Sequence, residues 1–164
     1  MSLLRIFTYA LSVEQAGLEF FSERALRSEN PTIVQIYQRL TVEERGHVEY
    51  IKRLIDKQQA GERVKPSKLS ADVTTPNAEV YQAWETAVGE QIESGDLSAD
   101  VAALRMAYLI ERDLSEFYRQ AADYCDDHAR AALLLLATWE ADHEKLFKSL
   151  YDKAFSAYLR LPWD

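Results

Sequence analysis

Two of the three histidines in this chain close the same four-residue spelling, Glu44-Arg45-Gly46-His47 and Glu140-Ala141-Asp142-His143. Residues three apart share one face of a helix, so each Glu and its His can reach a single point from the same side. An oxygen donor and a nitrogen donor aimed together suit a transition metal. Two further glutamates stand where apolar residues are expected. Glu14 interrupts the stripe Leu3, Phe7, Leu11, Leu18, Phe21, Ala25, and Glu111 interrupts Leu104, Ala107, Leu114, Tyr118, Ala122, both at helical spacing.

The paired motifs lie on stripes of their own: Ile33, Tyr37, Leu40, Glu44, His47, Ile51, Leu54, and Leu133, Leu136, Glu140, His143, Phe147, Leu150. Four carboxylates in a helical core would cost many kcal/mol if left ionised and unpaired. Two divalent ions balance that charge, and two imidazoles complete the set as neutral ligands.

Four long helices have to position these six residues. The first covers residues 3 to 28 and stops before Pro31, which suits the first turn of the second. The second runs to Ala60, with Gly61 as a natural C′ residue. Residues 61 to 76 include Pro66 and Pro76 and hold too few apolar residues for a core element. Asn77 can cap a shorter helix with Val80, Trp84, Val88 and Ile92 on one face, ended by Gly95. Ser98 caps the third long helix, which runs to near Cys125, and Asp126 or Asp127 caps the fourth, which runs to Tyr158. His128 falls outside both motifs and reads as a surface histidine.

Heights along the helices agree. Counted from the turn that joins the first two helices, Glu14 and Glu44 lie about 21 and 18 Å away at about 1.5 Å per residue. Glu111 and Glu140 lie at about the same two distances from their own turn. The short turns make antiparallel hairpins, and the intervening connector of roughly forty residues is long enough to traverse a bundle. Length alone leaves an up-down-up-down connection open.

An internal repeat supports this organisation. Ala10, Glu14, Phe20, Phe21 and Ala25 recur as Ala107, Glu111, Phe117, Tyr118 and Ala122 at a constant offset of 97, and the Glu-x-x-His motif recurs at 96. Such self-similarity indicates a duplicated helical hairpin, each half contributing one Glu and one Glu-x-x-His.

Composition narrows the class. The chain has 164 residues, 48% of them hydrophobic, enough for a continuous core in one domain spanning 1–164. Its formal charge of −8 and the lack of a basic stripe argue against a nucleic-acid partner. One cysteine, Cys125, excludes an intramolecular disulfide and a four-cysteine iron centre. Arg5 interrupts the N-terminal apolar run, which therefore reads as mature helix, and no stretch reaches membrane-span length; a cytoplasmic protein is expected.

At these residues the chain resembles the rubrerythrin-like branch of the ferritin-like superfamily. The resemblance covers both hairpins through Ala10 to Ala25, Glu44 to His47, Ala107 to Ala122 and Glu140 to His143. It implies an all-α, ferritin-like four-helix bundle with a long crossover between the second and third helices, and a centre of two iron ions for which manganese or zinc could substitute. By the same resemblance Glu44 and Glu140 would bridge the irons, Glu14 and Glu111 would be terminal ligands, and His47 and His143 would each bind one iron. Two departures stand out. The chain lacks the cysteines of a rubredoxin domain, and Leu114 stands where rubrerythrins carry an extra Glu three residues after the third-helix ligand.

The function so implied is a non-haem di-iron oxidoreductase that reduces peroxide, or dioxygen, with electrons from an external donor such as a rubredoxin-type protein. Alternatives are a ferroxidase that handles iron and a helical interaction module with a structural metal. Tyr37 and Tyr118, on core-facing stripes near the ligands, could supply hydrogen bonds to them or serve as core aromatics. A homodimer is expected, because the apolar face of residues 80 to 92 would be left for a neighbour to cover.

Overall fold

Caps and turn residues divide the chain into α1 (Leu3–Arg27), α2 (Pro31–Gln59), a single turn α3 (Pro66–Leu69), α4 (Ala78–Ile92), α5 (Ser98–Ala122) and α6 (Asp127–Tyr158). The computed structural model describes residues 2–63, 65–71, 73–74, 77–92 and 98–160, and no strand occurs among them. Asn30 starts α2 by accepting from the backbone N–H groups of Thr32 and Ile33, with Pro31 in the first turn where its missing N–H is harmless. Gly61, at φ 68°, ends it. Asn77 caps α4 through the N–H groups of Glu79 and Val80, and Asp126 caps α6 through Ala129. Each such cap contributes about 1 kcal/mol. Gly95 lies outside the described residues, as do the side chains of Ile92 and Ser98. The third long helix ends at Ala122, short of Cys125, where tight turn bonds from Asp123, Tyr124 and Cys125 close it.

The pairs α1–α2 and α5–α6 form two closely packed hairpins. One hydrogen bond decides their relative direction: Ser28, after α1, donates to Asp100 in the first turn of α5 (2.9 Å). The third long helix thus starts at the end of the bundle where α2 starts, so α2 and α5 run parallel and the connector traverses the bundle. The fold is the ferritin-like crossover bundle, and up-down-up-down is excluded.

Two apolar clusters fill the interior. One joins Phe7, Tyr50, Leu54, Tyr118 and Leu133; the other joins Phe21, Ile33, Tyr37, Leu104, Phe147 and Leu150. They occupy opposite ends of the bundle, because each draws on the start of one helix in a hairpin and the end of its partner. Fully burying each such Leu or Phe contributes about 1.5–3 kcal/mol.

The connector departs from expectation in two ways. Val73 is buried in the first cluster, and a Cβ on Gly46 would meet its Cγ1 at 3.2 Å, so the glycine inside the Glu-Arg-Gly-His motif provides room for the crossing chain. The segment was expected to hold no core element, yet one valine fits where α2 lacks a side chain. In addition, Tyr81, Trp84 and Val88 turn α4 against α6 and α2, so Trp84 and Val88 of the apolar face expected to await a neighbour pack within the chain. Val80 is instead partly exposed. No helix among the described residues is long and apolar enough to cross a membrane.

Candidate metal centre

Between the two apolar clusters lies a polar waist. Glu14 on α1, Glu44 and His47 on α2, Glu111 on α5, and Glu140 and His143 on α6 are all fully buried there. All six residues singled out by spacing are therefore brought together. Glu44, His47, Glu140 and His143 offer ligand atoms that lie within 4.8 Å of one another.

The approaches are close to two-fold symmetric. His47 Nδ1 lies 2.9 Å from Glu140 and 3.4 Å from Glu44, while His143 Nδ1 lies 2.9 Å from Glu44 and 3.4 Å from Glu140. Glu14 approaches His47 Nδ1 at 3.8 Å, and Glu111 approaches His143 Nδ1 at 3.7 Å. Glu44 and Glu140 thus stand between the two imidazoles, and each remaining Glu belongs to one side. The rings themselves are nearly parallel, with centroids 5.3 Å apart.

Whether these residues suit metal ions is tested by their hydrogen bonds. Both oxygens of Glu44, Glu111 and Glu140, Oε2 of Glu14 and Nδ1 of both histidines are buried without a hydrogen bond of acceptable geometry. Buried polar groups are rarely left so, and here the ligand atoms of Glu44, His47, Glu140 and His143 converge on one small interior region. An O/N set of four carboxylates and two imidazoles fits two divalent transition metals.

Protons alone would divide the charge unequally. Burial, then the Glu140 charge, holds the Glu14 carboxyl well above the usual range, and burial with Glu44 does the same to Glu111. Glu44 and Glu140 go the other way, since the two imidazoles outweigh the effect of burial. Burial opposes charge on His47, but Glu140 and Glu44 prevail and raise it; His143 is raised likewise, with Glu111, Glu140 and Glu43 among its partners.

Glu43 was not anticipated. It is fully buried, its Oε2 lies 3.0 Å from His143 Nε2, and it accepts from the Tyr81 hydroxyl and from Arg39 Nε, both at 2.6 Å. Burial works to raise its carboxyl, but His143, Tyr81 and Arg39 hold it below the usual range. Only its place beside Glu44 in sequence hinted at a role, and the groups that enclose it come from α2, α4 and α6. On the other side Trp139 stacks on the His47 ring, with centroids 5.0 Å apart.

Of the two tyrosines, Tyr118 donates to Glu14 Oε1. Tyr37 stacks with Phe21 and Phe147, and its hydroxyl finds no partner among the described residues. His128 is exposed, as expected.

A groove of about 280 Å³ runs between α1 and α5, lined by Tyr9, Val13, Gly17, Ile110, Leu114 and Phe117 among others. Its lining residues flank Glu14 and Glu111 in the chain, and Asp113 is the only charged one.

A crossover four-helix bundle with a buried carboxylate–histidine waist belongs to the ferritin-like class of proteins. The family model for rubrerythrin matches residues 5–151, and the chain belongs to that family. Neither a curated protein nor a solved structure matches it. Family and cluster together are compatible with a di-iron centre.

Proposed function

We propose that this chain is a non-haem di-iron oxidoreductase that reduces peroxide with electrons from an external donor, such as a rubredoxin-type protein. One observation carries the reading: Glu44 and Glu140 each lie within 3.4 Å of both imidazoles. In that arrangement both would bridge, while Glu14 with His47 and Glu111 with His143 would close the two outer positions. Manganese or zinc could replace iron in such a donor set.

Two ferrous ions would supply two electrons, which with two protons take hydrogen peroxide to two waters. The chain's own contribution is to hold and shield. Tyr118 fixes Glu14, Glu43 fixes the His143 ring, and the apolar clusters above and below exclude bulk water. The groove between α1 and α5 is apolar apart from Tyr9 and Asp113, which suits a small uncharged oxidant better than a hydrated cation.

Stopped-flow mixing of the reduced protein with each oxidant tests the proposal, with faster oxidation by hydrogen peroxide than by dioxygen expected. Preference for dioxygen with accumulation of many irons per chain would establish a ferroxidase instead. Reaction with neither would leave a structural metal. A homodimer belongs to the same proposal, resting now on exposed Met106 and Phe155 beside a groove between α5 and α6; light scattering decides it.

A further inference from the structure

The duplication that builds this centre is broken at two pairs of equivalent positions. Glu43 and Trp139 are separated by 96, the same offset that relates Glu44 to Glu140 and His47 to His143. Each reaches across to the histidine of the other half, but one brings a carboxylate and the other an indole face. Phe21 and Tyr118, separated by 97, form the second pair, and only Tyr118 can donate.

Both differences act in one direction. With a carboxylate opposite, Nε2 of the neutral His143 ring is the donor, which leaves its Nδ1 lone pair for a metal on the side of Glu44, Glu111 and Glu140. A hydrogen bond from a ligating imidazole to a carboxylate fixes the ring and strengthens its other nitrogen as a donor. Glu43 cannot swing away, because Tyr81 from the crossover helix and Arg39 from its own helix both hold it. His47 has no such partner among the described residues: its Nε2 is buried without a hydrogen bond, and the ring is stacked between the Trp139 indole and the His143 ring. On the same side, the Tyr118 hydroxyl draws electron density from Glu14, whereas both Glu111 oxygens are free of hydrogen bonds.

We infer that the two metal positions are inequivalent and that Glu43 makes the one closed by Glu111 and His143 the tighter, first-filled position. Glu43 is a positioning residue, acting through His143. The crossover helix, through Tyr81, thereby helps to set metal affinity. This inference rests on the di-metal reading given above.

The test is titration of metal-free protein with zinc alone, in competition with a chromophoric chelator, with helix content checked for every variant. Two resolved steps are expected in the wild type. Glu43→Gln should weaken the tight step about 10–100-fold and leave the other unchanged. Tyr81→Phe, which alters no ligand, should move the same step in the same direction by a smaller factor. His143→Ala should abolish the tight step, and His47→Ala the weak one. Equal affinities in the wild type, equal weakening of both steps by Glu43→Gln, or a tight step that survives His143→Ala would overturn the inference while leaving a two-metal centre. Binding of no zinc would overturn the di-metal reading, and the inference with it.

Discussion

Tyr118 on α5 reaches across the bundle to donate its hydroxyl to Glu14 on α1, among the described residues the one hydrogen bond made to any of the four glutamates at the centre of the waist by a residue outside it. The bond ties the two hairpins together beside the groove between α1 and α5. Removing it with Tyr118→Phe leaves a buried carboxyl oxygen without its donor. The metal-free variant should lose about 1–3 kcal/mol in chemical denaturation. An unchanged midpoint would show that the bond contributes nothing to stability.

Metal content should distinguish the bridging from the outer carboxylates. Because Glu44 and Glu140 each face both imidazoles, Glu44→Ala and Glu140→Ala should both fall well below the two metals per chain proposed for the wild type. Glu14→Ala and Glu111→Ala should each retain one. Elemental analysis of purified protein reads this directly, and wild-type stoichiometry in both bridging variants would remove the assignment.

Metal uptake should release protons. The Glu14 and Glu111 carboxyls and the His47 and His143 imidazoles all bind protons more tightly than usual, so a metal has to displace them. The sign follows: lower pH favours the competing protons, and affinity rises with pH between about pH 5 and 8. Calorimetric titration in two buffers of different ionisation enthalpy measures the release. A flat profile would show that these groups are already deprotonated.

Gly17 offers a way to close the groove without touching a ligand. A Cβ there would meet only Ile110 Cγ2, at 4.0 Å, and the longer side chain of Gly17→Leu would extend over the space near Leu114. Oxidation of the reduced protein should slow by about tenfold, equivalent to about 1.4 kcal/mol of barrier, with metal content unchanged. Equal rates would mean that oxidants enter elsewhere.

Gly46 should tolerate alanine and reject a large side chain. A methyl group gains helix propensity but presses on Val73 Cγ1 at 3.2 Å, so Gly46→Ala should change stability by less than about 1 kcal/mol. Gly46→Leu should lift the connector from α2, and limited proteolysis would then cut near residues 73 and 74 faster than in the wild type.

The long helices, the Asp126 cap of the last of them, the Asn77 cap of the shorter connector helix, the equal heights of four glutamates and the duplicated hairpin were all legible from spacing along the chain. Helical periodicity is a local property: which residues share a face depends only on neighbours three and four positions away. For the same reason the six residues of the waist could be named before any packing was known. What lay beyond reach was every feature created by contact between distant segments. Glu43 lies next to Glu44, and only the docking of Tyr81 from α4 and His143 from α6 makes it a buried partner of the centre. The direction of the crossover rests on Ser28 meeting Asp100, and Gly46 has its purpose because Val73 crosses there. The duplication supplied two nearly equal halves, and tertiary packing decided where they differ, since a carboxylate and an indole at equivalent positions have different effects only once each faces a histidine of the opposite half.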